Sequence, residues 1–248
     1  MTWSQDYGKT FLEFVETSNK CNSQEQLNKL FKAELYKLGI DGYMYSLVRG
    51  SFFPSNKIIH GVAHSYPAGW VEHYKKNDYT KSDPTYRQIL RSKGLFTWEE
   101  LPQKMAYSKR DKLMMNEANE SGLKSGMSLS LHGPYGQVFG FGFFSHDDHP
   151  GYSKDAMSIL YAMANQFHMT YLNLEGEQSP PKPVRLTDRQ REILQWSACG
   201  LSRPVIAEIL HVSENTVDAH MKLIFKKLGC NDRILAVVKA IEMGLITV

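Results

Sequence analysis

The chain has 248 residues, of which 42% are hydrophobic and 22% are charged. This composition is typical of a globular protein with one or two domains, and it excludes fibrous, collagen-like and wholly disordered chains. Lys and Arg number 29 against 26 Asp and Glu, so the formal net charge is only +3. Because the chain as a whole is not a strong binder of polyanions, any nucleic-acid contact must be local.

The cysteines and the chain start bear on the cellular compartment. Cys21, Cys199 and Cys230 are odd in number and far apart, which argues against a disulfide framework or a zinc site and favours a reducing environment. The first residues lack the basic start and apolar core of a signal peptide, and no apolar run approaches the roughly 18 residues of a membrane helix. These features predict a cytoplasmic protein without membrane contact.

Aromatic residues divide the chain unevenly. Of 29 Phe, Trp and Tyr residues, 27 precede residue 186, and only Trp196 and Phe225 follow it. The two parts therefore need different cores. Between them, residues 175–185 are polar and rich in proline, which predicts a stiff, extended linker. We accordingly predict an N-terminal domain over residues 1–174 and a C-terminal domain over residues 186–248.

The N-terminal domain combines helices with strands. Apolar residues at helical spacing after Ser23 predict an amphipathic helix that stops at Gly39. Helices before and after an antiparallel sheet indicate the α+β class, as an α/β/α sandwich large enough to enclose a pocket. Further along the chain, the pattern predicts strands at 43–49, 57–64, 127–131 and 137–144, and helices at 67–77, 84–91, 108–120 and 153–174.

The C-terminal domain is predicted to be all-α, with four short helices. Residues 187–190 form a capping box at the start of the first helix. Ser202 and Ser213 cap a second and a third helix, which are joined by the short link 211–213, and a fourth helix spans 232–243. This spacing predicts a helix-turn-helix whose third helix enters the major groove of DNA.

The exposed side of the third helix carries the candidate DNA contacts. Small polar side chains near its start suit base edges, whereas lysines suit phosphates. A merely solvated face is the alternative for the lysines alone. Residues 186–248 carry eight Lys and Arg against seven Asp and Glu, so we expect a dimer on a palindromic site to supply sufficient affinity. The candidate contacts are Arg203, Asn215, Thr216, His220, Lys222, Lys226 and Lys227.

The C-terminal sequence resembles a known family. Residues 186–200 (LTDRQREILQWSACG), 206–210 (IAEIL) and 212–220 (VSENTVDAH) resemble the LuxR/FixJ-type helix-turn-helix, and the resemblance covers the last 63 residues. It implies a transcriptional regulator that binds promoter DNA and contacts RNA polymerase. Gln190 stands where the family usually has Glu; either side chain completes the capping box, but a polymerase contact by that carboxylate is put in doubt.

The N-terminal domain resembles the acyl-homoserine-lactone domain of the quorum-sensing LuxR proteins. Residues 66–74 (YPAGWVEHY), 83–85 (DPT), Trp98 and Gly126 carry this resemblance, although an aromatic stripe or an Asp-Pro helix cap alone is ordinary. The resemblance implies that Trp70 donates to the ring carbonyl of an N-acyl-homoserine lactone, Asp83 accepts from its amide and Tyr66 donates to the amide carbonyl. Trp98 would wall the lactone ring.

The resemblance also implies the rest of the ligand site. Tyr74 would line the pocket, with Thr85 and Ser128 as further polar contacts. Gly142 and Arg49 lie near the expected acyl tail and leave its length and 3-position substituent open. No cofactor besides the ligand is expected, and the protein is not expected to be an enzyme. We expect the tail among Tyr45, Leu47, Val62, Phe139 and Phe141, depending on strand phase.

Three alternatives stand beside this interpretation. A sensor of the same architecture could answer a different small molecule or need none. His60, His64 and residues 146–149 could belong to a metal-dependent lactone hydrolase, but the H-x-H-x-D-H run of such enzymes is lacking. A phosphorylated receiver domain needs an early acidic pair, whereas residues 1–60 offer only Asp6 and Asp41 as aspartates.

Overall fold

The computed structural model describes residues 7–49, 61, 63–133, 136–148, 152–175 and 184–247. The chain separates into two compact units, with the division at residues 177–178. This division lies within the predicted linker 175–185, but residues 176–183 fall outside the described ranges, so the extended linker stays a prediction. Within the described ranges, no helix is both long and apolar enough to cross a membrane.

An antiparallel sheet forms the middle of the N-terminal unit. The strands are β1 (Gly42–Arg49), β2 (Ala63–His64), β3 (Gly94–Thr97), β4 (Ser125–His132) and β5 (Val138–Ser145). Their order in the sheet is β2-β1-β5-β4-β3, and every neighbouring pair is antiparallel. Of the predicted strand 57–64, only residues 61, 63 and 64 are described, and β3 was not predicted.

Helices cover both faces of this sheet, which confirms the predicted α/β/α arrangement. The five predicted helices are present with ends within two residues of those expected, and Ser23, Ser108 and Ser153 cap three of them as acceptors. The first helix and a short one after β3 were not predicted. The helices are α1 (Tyr7–Ser18), α2 (Gln24–Lys37), α3 (Ala68–Lys76), α4 (Pro84–Ile89), α5 (Leu101–Lys104), α6 (Lys109–Glu120) and α7 (Lys154–Leu174).

The larger core lies between the sheet and helices α1, α2 and α7. Phe31 of α2 is at its centre, with its ring centroid 5.0 Å from that of Tyr43 and 4.5 Å from that of Phe167. Phe141 and Phe143 of β5 stack in parallel against the same cluster, 5.4 Å apart. The opposite face of the sheet packs against α3, α4, α5 and α6 in two smaller clusters. That second face borders the candidate site.

The C-terminal unit has the four predicted helices: α8 (Asp188–Ala198), α9 (Arg203–Ile209), α10 (Glu214–Leu228) and α11 (Arg233–Glu242). The predicted capping box is present, since Thr187 and Gln190 exchange side-chain and backbone hydrogen bonds. Between α9 and α10, His211 adopts a left-handed conformation with φ of 51°, and the Ser213 hydroxyl accepts from the Thr216 amide. This tight turn fixes the helix-turn-helix.

Candidate functional site

A narrow cavity of about 60 Å³ lies between the sheet and helices α3, α4 and α6. Because strand side chains alternate between the two faces, β1 contributes Met44, Ser46 and Val48, while β5 contributes Gly140 and Gly142. The helices and the segments before them close the cavity with a mixture of aromatic, apolar and polar groups. These include Tyr66, Trp70, Tyr74, Asp83, Thr85, Tyr86, Ile89, Met114, Met115 and Ala118.

Glycines make this face of the sheet shallow enough to hold a cavity. A Cβ atom on Gly142 would lie 2.8 Å from the Tyr66 hydroxyl oxygen, and one on Gly140 would lie 2.8 Å from Cδ1 of Ile89. On β4, a Cβ on Gly126 would come within 2.7 Å of the Trp98 indole. Each glycine therefore lets a side chain from the other wall come close to the backbone.

Asp83 has two roles at the start of α4. Its Oδ1 atom caps the helix, accepting from the backbone amides of Thr85 at 2.7 Å and Tyr86 at 3.3 Å, and from the Thr85 hydroxyl at 2.6 Å. Its Oδ2 atom accepts from the Tyr74 hydroxyl at 2.9 Å. A carboxylate oxygen accepts more than one hydrogen bond, so Oδ2 retains capacity for a donor in the cavity.

The tyrosine hydroxyls beside Asp83 are held as donors. Burial raises the pKa of Tyr66 and Tyr74 above the ordinary value, and the nearby Asp83 carboxylate raises the pKa of both further. Both hydroxyls therefore stay protonated at neutral pH. Within the described part of the chain, the Tyr66 hydroxyl and the Trp70 indole N–H have no hydrogen-bond partner. They are available to a ligand.

Trp98 and Ser128 form a second polar pair in the wall. The Trp98 indole N–H donates to the Ser128 hydroxyl oxygen at 2.9 Å. Since an indole nitrogen only donates, the Ser128 hydroxyl hydrogen can be donated elsewhere. The wall at this end of the cavity thus combines an aromatic plane with a hydroxyl group.

An ion pair that sequence analysis missed holds two walls of the cavity together. Arg87 of α4 donates to both carboxylate oxygens of Asp111 of α6, at 2.7 and 3.1 Å. The Asp111 side chain is buried, and the Arg87 guanidinium lowers its pKa to about 2. The Ser108–Asp111 capping box joins residues three positions apart, whereas the Arg87 partner lies 24 residues earlier in the sequence.

Eight of the nine ligand contacts implied by the resemblance lie around this one cavity: Tyr66, Trp70, Tyr74, Asp83, Thr85, Trp98, Ser128 and Gly142. The ninth, Arg49, is exposed at the end of β1 and is not among the residues that line the cavity. Its predicted place near the acyl tail is therefore corrected. Arg49 follows an irregularity in the β1–β5 register between Leu47 and Arg49.

The residues expected along the acyl tail depended on strand phase, and three of them lie on the other face of the sheet. Tyr45, Leu47 and Phe139 point into the opposite core, because they occupy the other alternating positions of β1 and β5. Phe141 borders the cavity, but its ring stacks in that core, and Val62 lies outside the described residues. The apolar cavity residues that sequence analysis missed are Met44, Val48, Tyr86, Ile89, Met114, Met115, Ala118 and Leu123.

The second candidate surface is formed by α9 and α10. Arg203 lies 3.4 Å from Asp218 and 3.6 Å from Glu214, and Lys222 lies 3.0 Å from Asp218. The Lys222 and Arg203 cations lower the pKa of Asp218. Two predicted DNA-contacting cations are thus arranged around one exposed carboxylate, which sequence analysis did not single out.

The remaining predicted DNA contacts divide into exposed and internally engaged groups. Asn215 and Lys226 are exposed, whereas the Thr216 hydroxyl bonds to that of Ser213 at 2.9 Å. His220 is half-buried, and its Nδ1 atom has no hydrogen-bond partner among the described residues.

Lys227, which was predicted to contact a phosphate, is exposed and also has partners within the C-terminal unit. The ammonium group of Lys227 donates to the side chain of Gln190 at 2.7 Å and to the carbonyl oxygen of Arg185 at 2.7 Å. These bonds anchor the end of α10 to the start of α8. Gln190 is itself buried, so it offers no surface to a polymerase.

A small cavity lined by polar donors in one unit and a helix-turn-helix in the other fit a regulator that binds a small molecule and DNA. Residues 23–171 match the autoinducer binding domain, and residues 184–240 match the bacterial regulatory proteins of the luxR family. The chain therefore belongs to the LuxR family of quorum-sensing transcriptional regulators.

Individual relatives agree with this assignment. The chain is 30% identical over 244 residues to the transcriptional activator BjaR1 of Bradyrhizobium diazoefficiens, covering 97% of this chain and 98% of that protein. It is 30% identical over 220 residues to the quorum-sensing regulator RhlR of Pseudomonas aeruginosa, covering 88% of each. These relatives are regulators, and the chain is not an enzyme.

Solved structures share the fold. The crystal structure of Escherichia coli SdiA superposes with a TM-score of 0.71 at 22% identity, covering 98% of this chain and all of SdiA. A further SdiA structure, in complex with octanoyl-rac-glycerol, has a TM-score of 0.68 at 21% identity and covers 98% of each chain.

Among the described residues, no group of three His, Cys, Asp or Glu could hold a metal ion.

Proposed function

We propose that the cavity binds an N-acyl-homoserine lactone and that the ligand controls binding of a dimer to palindromic promoter DNA. The observation that carries the proposal is the convergence of three complementary groups: the Trp70 N–H, the Tyr66 hydroxyl and the Asp83 carboxylate all line one cavity. Buried polar groups need partners, and each one left unsatisfied costs about 1–3 kcal/mol. This set matches a ligand with two carbonyl oxygens and one amide N–H.

The head group is assigned by matching donors to acceptors. Trp70 donates to the lactone carbonyl, Tyr66 donates to the amide carbonyl, and Oδ2 of Asp83 accepts from the amide N–H. Ser128, whose oxygen already accepts from Trp98, supplies a further donor for the acyl part of the ligand. Thr85 acts on the ligand through Asp83, to which its hydroxyl is bonded.

The acyl tail is assigned to the apolar part of the cavity. Met44, Val48 and Ile89 line it from the sheet and α4, and Met114 and Met115 line it from α6. Methionine side chains are unbranched and adapt to irregular shapes. Their movement can widen the narrow cavity to admit a chain.

Substitution of Asp83 by Asn tests the head group. The oxygen of the new amide should occupy the Oδ1 position, where three donors converge, and its NH₂ group should then occupy the Oδ2 position. The substitution preserves the cap of α4 but places a donor against the ligand N–H. We expect D83N to weaken binding of an N-acyl-homoserine lactone by about 10- to 100-fold in isothermal titration.

The matched ligand control is the ester analogue, in which oxygen replaces the amide nitrogen. This analogue has no N–H, so wild type and D83N should bind it with similar affinity. If D83N lost affinity equally for the amide and for the ester ligand, Asp83 would not contact the head group. A sensor for a different molecule, such as an acylglycerol, is favoured if wild type binds octanoyl-glycerol and no lactone.

The dimer is supported by an apolar stripe in the C-terminal unit. Ile234, Val238 and Ile241 of α11 are 77%, 44% and 44% exposed and lie on one helix face. An exposed apolar stripe on so small a unit indicates an interface, and a second copy doubles the phosphate contacts of a nearly neutral domain. We therefore assign this stripe to the two-fold interface.

Charged residues in the stripe test the dimer. The double variant I234E/V238E should be monomeric in sedimentation equilibrium and should lose affinity for a palindrome while keeping its affinity for a half-site. Y36E, a charge introduced at an exposed position of the N-terminal unit, is the control. If the double variant remained a dimer, the two-fold interface would lie on another surface.

The DNA contacts are assigned to α9 and α10. Lys222→Ala should weaken binding to all sequences and lower the slope of log affinity against log salt by about one. Asn215→Ala should instead change the base preference. Because Gln190 is buried, contact with RNA polymerase belongs to other residues of this unit.

A further inference from the structure

A thin partition separates the cavity from an open groove on the N-terminal unit. The groove, of about 1030 Å³, follows α6 and the start of β4. Trp98, Met115 and Leu123 line both the cavity and the groove. A path from solvent into the cavity at this point therefore crosses a single layer of side chains.

Two of these three side chains are fixed. The Trp98 ring lies against Gly126, where even a Cβ would come within 2.7 Å of it, and its indole N–H is bonded to Ser128. The backbone amide of Trp98 also donates to the Gly126 carbonyl at 2.9 Å. Leu123 is 3% exposed, so a rotation of its side chain would break packing. Moving either residue would break packing or hydrogen bonds.

Met115 differs from both. It is half-buried, and its side chain has no hydrogen bond to break among the described residues. An unbranched thioether has three rotatable side-chain bonds, and the groove beside it is flanked by the exposed residues Asn116 and Asn119. Rotation of Met115 toward the groove therefore opens the partition without moving the backbone of α6.

We propose that Met115 is the gate through which the ligand passes between the groove and the cavity. The inference rests on the proposed function, because it takes the cavity as the ligand site. In this proposal, the rotation of the Met115 side chain sets the rate of ligand exchange. The contacts to the head group of the ligand do not set that rate. The barrier to exchange is the rotation of one side chain between two fixed ones.

Stopped-flow fluorescence measures this rate, with the cavity tryptophans Trp70 and Trp98 as reporters. The probes are N-hexanoyl-, N-octanoyl- and N-dodecanoyl-homoserine lactone on the full-length protein. We expect M115A to raise the association and dissociation rate constants together, each about tenfold. One lowered barrier serves passage in both directions.

Two variants make the test specific. M115L conserves volume but branches closer to the backbone, so it should slow both rate constants while the fold is retained. M114A is the matched control, since Met114 is the preceding residue, is 3% exposed and lines only the cavity. It should raise the dissociation rate constant and leave the association rate constant unchanged.

The outcomes separate the gate from the ligand assignment. If M115A changes dissociation alone, as M114A is expected to do, Met115 is an ordinary wall residue and the gate is wrong. If wild type binds none of the three lactones, the proposed ligand class fails and the gate for that ligand fails with it. Thermal unfolding of each variant checks that the fold is intact.

Discussion

On strand β5, Phe139, Phe141 and Phe143 alternate with Gly140 and Gly142. Over residues 139–143 the strand therefore presents three phenylalanine side chains to one side of the sheet and no side chain to the other. The side with Phe139, Phe141 and Phe143, the aromatic face, joins the core formed with α1, α2 and α7. The side with Gly140 and Gly142, the glycine face, borders the cavity under α3, α4 and α6. One sheet thus separates stability from binding, face by face.

This difference explains how the unit tolerates a cavity. An empty volume in a packed interior forfeits contacts, and the aromatic face supplies contacts in compensation. The two faces also differ in character: Asp83 and Ser128 border the cavity, whereas the rings of Phe31, Phe141 and Phe167 meet in the larger core. Substitutions on the two faces should therefore differ in what they change.

The largest effect on stability is expected on the aromatic face. Phe141 is fully buried, stacks against Phe143 and meets the Phe31 ring edge-on. Phe141→Ala should lower the free energy of unfolding by about 3–5 kcal/mol, measured by urea denaturation of the full chain. A loss below about 1 kcal/mol, within the range of surface substitutions, would show that this face does not carry the stability of the unit.

The outer wall of the cavity should show a smaller, pH-dependent effect. Arg87, together with hydrogen bonds from Ser108, lowers the pKa of Asp111 to about 2 from an ordinary 3.8, so the contacts of the charged carboxylate contribute about 2 kcal/mol above pH 4. This contribution is lost as the pH falls through the folded-state pKa. D111N should therefore be less stable than wild type at neutral pH and converge with it near pH 2. A difference that is constant from pH 7 to 2 would exclude the ion pair as its cause.

The smallest effect on stability, and a clear effect on binding, is expected on the glycine face. A methyl group on Gly142 would press mainly on the hydroxyl end of the Tyr66 side chain, so Gly142→Ala should change the unfolding free energy by less than about 1 kcal/mol. Displacing that donor should weaken lactone binding about tenfold in isothermal titration.

Gly69 of α3 supplies the matched control, because a Cβ there would meet no atom within 4 Å. Gly69→Ala should stabilise the helix by about 0.5–1 kcal/mol and leave ligand affinity unchanged. If both variants weakened binding equally, the proximity of Tyr66 to Gly142 would not be the cause.

Local patterns allowed much of the fold to be predicted. The helices with Ser or Thr caps and the tight turn before α10 depend on residues within a few positions of one another, so the sequence alone indicates them. The amphipathic α1 and the short β3 were missed. The Arg87–Asp111 pair and the Lys227–Gln190 bond join distant segments and have no local signal.

The cavity was predicted in its polar part but not in its apolar part. The head-group residues could be predicted because the spacing of these residues in the sequence matches that of the family. The tail residues depended on which face of a strand meets the cavity, and β1 is buried on both sides over seven of its eight residues. Hydrophobicity cannot distinguish two buried faces, but side-chain size can. Gly140 and Gly142 leave room for a cavity on one face, whereas Phe139 and Tyr45 fill the core on the other.

The central claim is that the glycine face holds an intact N-acyl-homoserine lactone. Mass spectrometry of the molecules released on denaturing the full-length protein, after expression with a mixture of lactones, tests it most directly. We expect wild type to release an intact lactone in near-equal molar amount and the Trp70→Phe variant, which lacks the indole donor, to release much less. Release of a different class of molecule, or equal release from both proteins, would contradict the assignment.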